Sequence, residues 1–117
     1  MTDTLESLAK REQTLREKQQ HLTQVQRQTN QLTEEIGTTT RKDTDLLTEL
    51  MHTYRQSEDR KGFEEALMMY DQSVRQTTSS LEETKESLHQ QQTELNNRLE
   101  EIEQEKHHFN QREEEQQ

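Results

Sequence analysis

Five histidines are the side chains best suited to metal or acid–base chemistry: His21, His52, His89 and the adjacent His107-His108. None stands in an H-E-x-x-H pattern, and the absence of cysteine removes Cys/His zinc sets, disulfides and thiol chemistry. Neighbours on a helix point about 100° apart, so His107 and His108 are poor joint ligands. Carboxylates are plentiful at Glu100-Glu101, Glu103, Glu105 and Glu113-Glu114-Glu115. Catalytic carboxylate pairs need a pocket that separates their pKa values, whereas a run of this density reads as a solvated face. Neither G-x-x-x-x-G-K-[ST] nor G-x-S-x-G is present, and two glycines cannot build a phosphate loop. The expectation is a non-enzyme with no catalytic, cofactor-binding or metal-binding residue.

The elements that would have to position any such chemistry are helices. Leu67, Val74, Leu81, Leu88, Leu95, Ile102 and Phe109 recur every seven residues, the repeat of a supercoiled α-helix. Leu8, Leu15, Leu22 and Ile36 share one heptad position in the N-terminal half, with Val25, Leu32 and Leu46 at the other and Leu50 rejoining the first. Of the 117 residues, 23% are hydrophobic and 34% charged, with no proline, cysteine or tryptophan. A compact globule needs about twice that apolar fraction. Disordered acidic chains do not keep apolar residues in phase, so the repeat points to a coiled coil.

Ser57-Glu58-Asp59-Arg60-Lys61-Gly62 is a polar gap near the middle of the chain, with Ser57 or Asp59 able to cap a following helix. If it is a turn, the apolar residues of the two arms fall opposite one another. Leu8 then meets Phe109, Leu15 meets Ile102, Leu50 meets Leu67 and Tyr54 meets Phe63. The expected fold is all-α: a long antiparallel two-helix hairpin in a single domain, 1–117, with its turn near 57–62. Helix 1 is expected over about 3–56 and helix 2 over about 60–114, near 75 Å long at ~1.5 Å per residue. Asp3, with Glu6 three residues later, offers an N-cap. Gly37-Thr38-Thr39-Thr40 has the weakest helix propensity, and a kink or a frayed turn is expected there. A single unbroken helix pairing with a second copy is the alternative.

The second heptad position of the C-terminal arm reads as Thr77, Thr84, Gln91, Arg98 and Glu105, all polar. Arms so sparsely filled have little margin over the entropy of ordering them and are best completed by another helix. Toward the turn the apolar content rises. Leu67, Met68, Met69 and Tyr70 in succession cover more than one side of a helix, and adjacent methionines suit an adaptable surface. The candidate partner-binding residues are Leu47, Met51, Tyr54, Phe63, Met68, Met69 and Tyr70, with Phe63, Leu67 and Tyr70 inward and Met68 and Met69 outward.

The net charge of −10 opposes binding to nucleic-acid backbones and favours a basic partner face. Met1 to Lys10 holds no apolar run of a secretory signal, and no stretch approaches a membrane span. A cytoplasmic location is expected, with co-export alongside a cargo left open.

The layout has a recognisable form: a Glu/Gln-rich arm, Leu46-Leu47-x-x-Leu50-Met51-x-x-Tyr54, a polar gap, Gly62-Phe63, and a Leu/Glu/Gln-rich arm. It resembles the second class of LXG-associated α-helical proteins of Gram-positive bacteria, accessory proteins encoded beside LXG toxins of the type VIIb secretion system. The resemblance implies a targeting factor that binds the helical N-terminal domain of an LXG toxin, with a sister small helical protein, to present the toxin for export. The chain departs from the broader WXG100-like group in lacking its Trp-x-Gly turn. Phe109-Asn110-Gln111-Arg112-Glu113 is similar to that group's aromatic-x-x-x-acid export signal, although Phe109 is also the last heptad residue. The alternative function is a self-associating structural coiled coil, a spacer or scaffold.

Overall fold

The computed structural model describes residues 4–116 as two α-helices, α1 (Leu5–Thr53) and α2 (Arg60–Gln116), paired antiparallel as a hairpin. Among the described residues there is no strand. Thr4 starts α1: its Oγ1 accepts the Ser7 N–H at 3.1 Å, which satisfies one of the amides that a helix start leaves over. Asp3, the expected cap, lies outside the described residues.

The helix runs unbroken through Gly37-Thr38-Thr39-Thr40, so the segment of weakest propensity is not frayed. Thr38 donates its hydroxyl to the Glu34 carbonyl at 3.0 Å, and Thr33 does the same to Thr29 at 2.9 Å. The hydroxyls are thus satisfied inside the helix instead of competing with it. Glycine's propensity cost of about 1 kcal/mol is small beside the continuous helix on either side.

Residues 54–59 connect the helices, overlapping the expected 57–62 but beginning earlier. The shift follows from capping. Ser57 donates its N–H to the Tyr54 carbonyl at 2.9 Å, while its Oγ accepts the Asp59 N–H at 3.1 Å and its carbonyl accepts the Arg60 N–H at 3.2 Å. Ser57 therefore closes the turn and starts α2 together. Arg60 also donates to the Arg55 carbonyl at 3.2 Å, drawing the outgoing and incoming chain together.

The hairpin divides into two compact units. The terminal unit joins Met1–Gln26 to Glu86–Gln117, and the turn unit is Arg27–Lys85.

In the terminal unit the buried stripe of α1 alternates leucines with polar residues: Leu8, Glu12, Leu15, Gln19, Leu22 and Gln26. The stripe of α2 follows the same rule with Leu88, Gln92, Leu95, Leu99, Ile102 and Lys106. Leu8 and Ile102 are 1% exposed and anchor a core with Leu15, Leu95 and Leu99. The second heptad position thus lies four residues after the first. The expected one, three residues after, is wrong on α2, where Gln91, Arg98 and Glu105 are exposed; on α1, Val25 at that spacing is half-buried beside Gln26. That misreading overlooked Leu99. The true second position carries mostly polar side chains, and they pair across the seam. Glu12 takes the Lys106 ammonium, Gln26 Nε2 donates to Gln92 Oε1 at 2.8 Å and Gln19 Nε2 donates to Asn96 Oδ1 at 3.0 Å.

In the turn unit α1 continues the alternation through Thr33, Ile36, Thr40, Asp43, Leu47 and Leu50, all half-buried. On α2 the stripe is Phe63, Leu67, Tyr70 and Val74, then Leu81 and Lys85. Thr77 and Thr78 between them are both exposed, so the stripe changes phase there. A helix of 3.6 residues per turn drifts against a seven-residue repeat, and an inserted step of four absorbs the drift.

Candidate helix-docking surface

Three aromatic side chains and one carboxylate organise the turn unit. The rings of Tyr54 and Phe63 sit 5.5 Å apart, tilted by 36°, the cross-arm pair expected from the heptads. Tyr70 donates its hydroxyl to Asp43 Oδ2 at 2.6 Å. Losing that proton would set a phenolate against a carboxylate, so the Asp43 bond holds the Tyr70 hydroxyl above its usual range. Burial pushes the same way, and the Thr40 hydroxyl opposes both. Asp43 and Tyr70 occupy heptad positions that would carry leucine in a dry coiled coil. Their bond fills the layer at the cost of apolar burial.

The candidate contact residues divide into two sets. Leu47, Met51, Phe63 and Tyr70 are half-buried in or beside the seam. Met68 and Met69 are 73% and 72% exposed, and Tyr54 is also exposed. Leu32 and Leu46, which the heptads had placed in the seam, are 47% and 56% exposed and face out beside it. The apolar pattern did reveal these two leucines, but it assigned them to the wrong partner. They lie three residues after the seam positions Thr29 and Asp43, a flank that two-stranded coiled coils usually give to charged side chains.

Beside this flank a groove of about 350 Å³ runs between the arms of the turn unit, lined by Leu32, Ile36, Thr39, Tyr70, Val74 and their neighbours. Glu35 is the one charged residue in its lining. In the terminal unit the groove over Leu15 and Ile102 is bordered instead by Lys10, Arg11, Arg98 and Glu101. A further groove there, over Leu22 and Leu95, carries Glu17, Lys18 and His21. Several of these charges are in ion pairs at the rim, with Arg11–Glu105 at 3.7 Å across the arms and Arg98–Glu94 at 2.7 Å along α2.

Phe109 is half-buried on the α2 stripe, and Glu113 is exposed one turn beyond it. Among the described residues no cluster of His, Asp and Glu could hold a metal ion, and no helix is long and apolar enough to cross a membrane.

The chain belongs to the family described as "Protein of unknown function (DUF3958)", whose model matches residues 3–109. No curated protein and no solved structure matches it.

Proposed function

We propose that this family member is a non-enzymatic adaptor that binds the helical N-terminal domain of an LXG toxin, with a sister small helical protein, for type VII secretion. The observation that carries the reading is the turn unit. It leaves Leu32, Leu46, Met68 and Met69 in solvent, while its seam among the described residues holds no fully buried hydrophobic side chain. Two helices that leave so much apolar surface open are an incomplete bundle, and a partner's helix supplies the missing layer. The resemblance in layout names the partner.

On this reading the protein works in the cytoplasm, and the acidic arms keep it from anionic surfaces while it holds its cargo. Phe109 and Glu113 supply the recognition element if it leaves with the cargo. The test is co-expression with an LXG N-terminal domain followed by co-purification. Replacing Met68 and Met69 together with glutamate should weaken the complex by about 2 kcal/mol or more while leaving helicity intact. A wild-type chain that ignores the toxin domain yet forms stable homo-oligomers is a self-associating scaffold instead.

A further inference from the structure

The flank of α1 carries Val25, Leu32, Thr39 and Leu46 at seven-residue intervals, with Val25 half-buried in the terminal unit and Leu32 and Leu46 exposed in the turn unit. Across the turn-unit groove, α2 presents Tyr70, Ser73, Val74 and Thr77, and Met69 stands one turn before Ser73 on the helix surface. Leu32 on one rim and the small Ser73 and Thr77 on the other leave a trough into which a third helix can settle closely. In a chain whose residues are 34% charged, the groove lining, from Leu32 to Thr40 on α1 and from Tyr70 to Thr77 on α2, holds one charged residue, Glu35. The corresponding grooves of the terminal unit show the charged borders of an ordinary solvated coiled coil.

We propose that this uncharged trough is the seat of a single partner helix, one with an apolar stripe flanked by lysine or arginine. The inference rests on the adaptor reading above and goes further by assigning the face and the chemistry of the helix that fills it. Charge selects the occupant. Along the same stretch of the two arms the exposed carboxylates Glu34, Glu35, Asp45, Glu49, Glu65 and Asp71 outnumber the exposed bases Arg41, Lys42 and Arg75, and a second copy would bring a further net charge of −10. A basic-flanked foreign helix relieves that repulsion, whereas another copy increases it. The trough also separates the two methionines. Met69 lies one turn before Ser73 on the groove side, and Met68 points about 100° away from it. Met69 therefore touches the partner helix, and Met68 does not.

The test uses the full chain co-expressed with an LXG N-terminal domain. Three variants are compared by binding affinity, with circular dichroism to confirm helicity: Leu32→Glu with Leu46→Glu, Met69→Glu alone, and Met68→Glu alone. The expected result is a loss of at least tenfold for the leucine pair, a smaller loss for Met69→Glu and less than threefold for Met68→Glu. Gln31→Glu with Thr38→Glu, which adds the same charge at exposed positions off the trough, should behave as wild type. Should the leucine variant unfold, a photo-reactive benzophenone side chain placed at position 32 gives the second readout. A covalent product with the toxin domain supports the seat. A complex that forms normally but yields no product from position 32 overturns the seat and leaves the adaptor reading standing. A product joining two copies of this chain overturns it in favour of self-association. Failure of the wild type to form any complex removes the adaptor reading and the seat with it.

Discussion

The two halves of this hairpin solve the same problem with opposite materials. Among the described residues, every buried hydrophobic side chain lies in the terminal unit, and every large hydrophobic side chain left exposed lies in the turn unit. Yet the turn unit is the richer in apolar and aromatic residues, with Phe63, Leu67, Met68, Met69, Tyr70 and Val74 close together. Burial here depends on phase and hardly at all on supply. In the terminal unit the leucines of both arms fall on facing positions, and Leu99 adds one at the second heptad position. In the turn unit the facing positions carry Thr33, Thr40 and Asp43, while leucines stand on the flank. The buried core and the exposed apolar surface thereby fall in different units of the same helices.

The largest test of this contrast is a pair of truncations. Leu99→Ala should cost about 2–5 kcal/mol, because it empties a buried site in the terminal core. Leu46→Ala should stay within about 0.5 kcal/mol, because the side chain already meets water. Urea unfolding followed by circular dichroism reads both. Equal losses would mean that the two leucines are buried alike and that the contrast between the units does not exist.

That pair also marks where the sequence was legible and where it was not. The first heptad position, Leu8 to Leu22 and Leu67 to Phe109, could be read directly because leucine recurs there with little interruption. The second could not, because hydrophobicity alone favoured Val25, Leu32 and Leu46 over Glu12, Gln19 and Gln26. Those polar residues enter the seam because Lys106, Asn96 and Gln92 answer them, and complementarity between distant residues leaves no local periodic trace. The turn was legible through Ser57, a good capping residue. The exposed methionines were legible because four large apolar residues in succession exceed one helix face. The trough was not, since it is defined by the scarcity of charge across two arms that only the fold brings together.

A smaller effect comes from Gly37 in the turn unit. An added Cβ would meet nothing within 4 Å, and the backbone there is ordinary helix. Gly37→Ala should therefore raise stability by about 0.5–1 kcal/mol through helix propensity alone. Because it lies away from the Leu32 and Leu46 flank, partner affinity should not fall. A measurable loss of binding would show that this helix has to bend to receive its partner.

The smallest effect is one of pH, and it belongs to the terminal unit. The Lys106 ammonium holds the Glu12 carboxyl below the usual glutamate range; burial opposes this, and Arg16 adds to the lowering. A carboxyl whose folded value is depressed contributes stability that is fully present above its unfolded value. That contribution is lost as pH falls through the folded one. The acid side of the stability profile should therefore steepen just below the ordinary glutamate range, and Glu12→Gln should flatten it. An unchanged profile in that variant would mean that solvent screens the pair completely.

The polar layers of the terminal unit also decide how the arms line up. Leucine layers are indifferent to sliding: displace α2 by one heptad and Leu88, Leu95 and Ile102 simply exchange places. The hydrogen-bonded layers are not. The same displacement sets Glu12 against Glu113 in one direction and against Leu99 in the other, and gives Gln26 either Leu99 or Lys85 in place of Gln92. Each misalignment takes from a carboxylate or an amide the partner it has in the native register. A newly made chain surrounded by other heptad-bearing proteins meets many surfaces that would accept its leucines. Few would also offer a lysine, a glutamine and an asparagine at the required intervals, so the seam recognises its own other half by its hydrophilic residues.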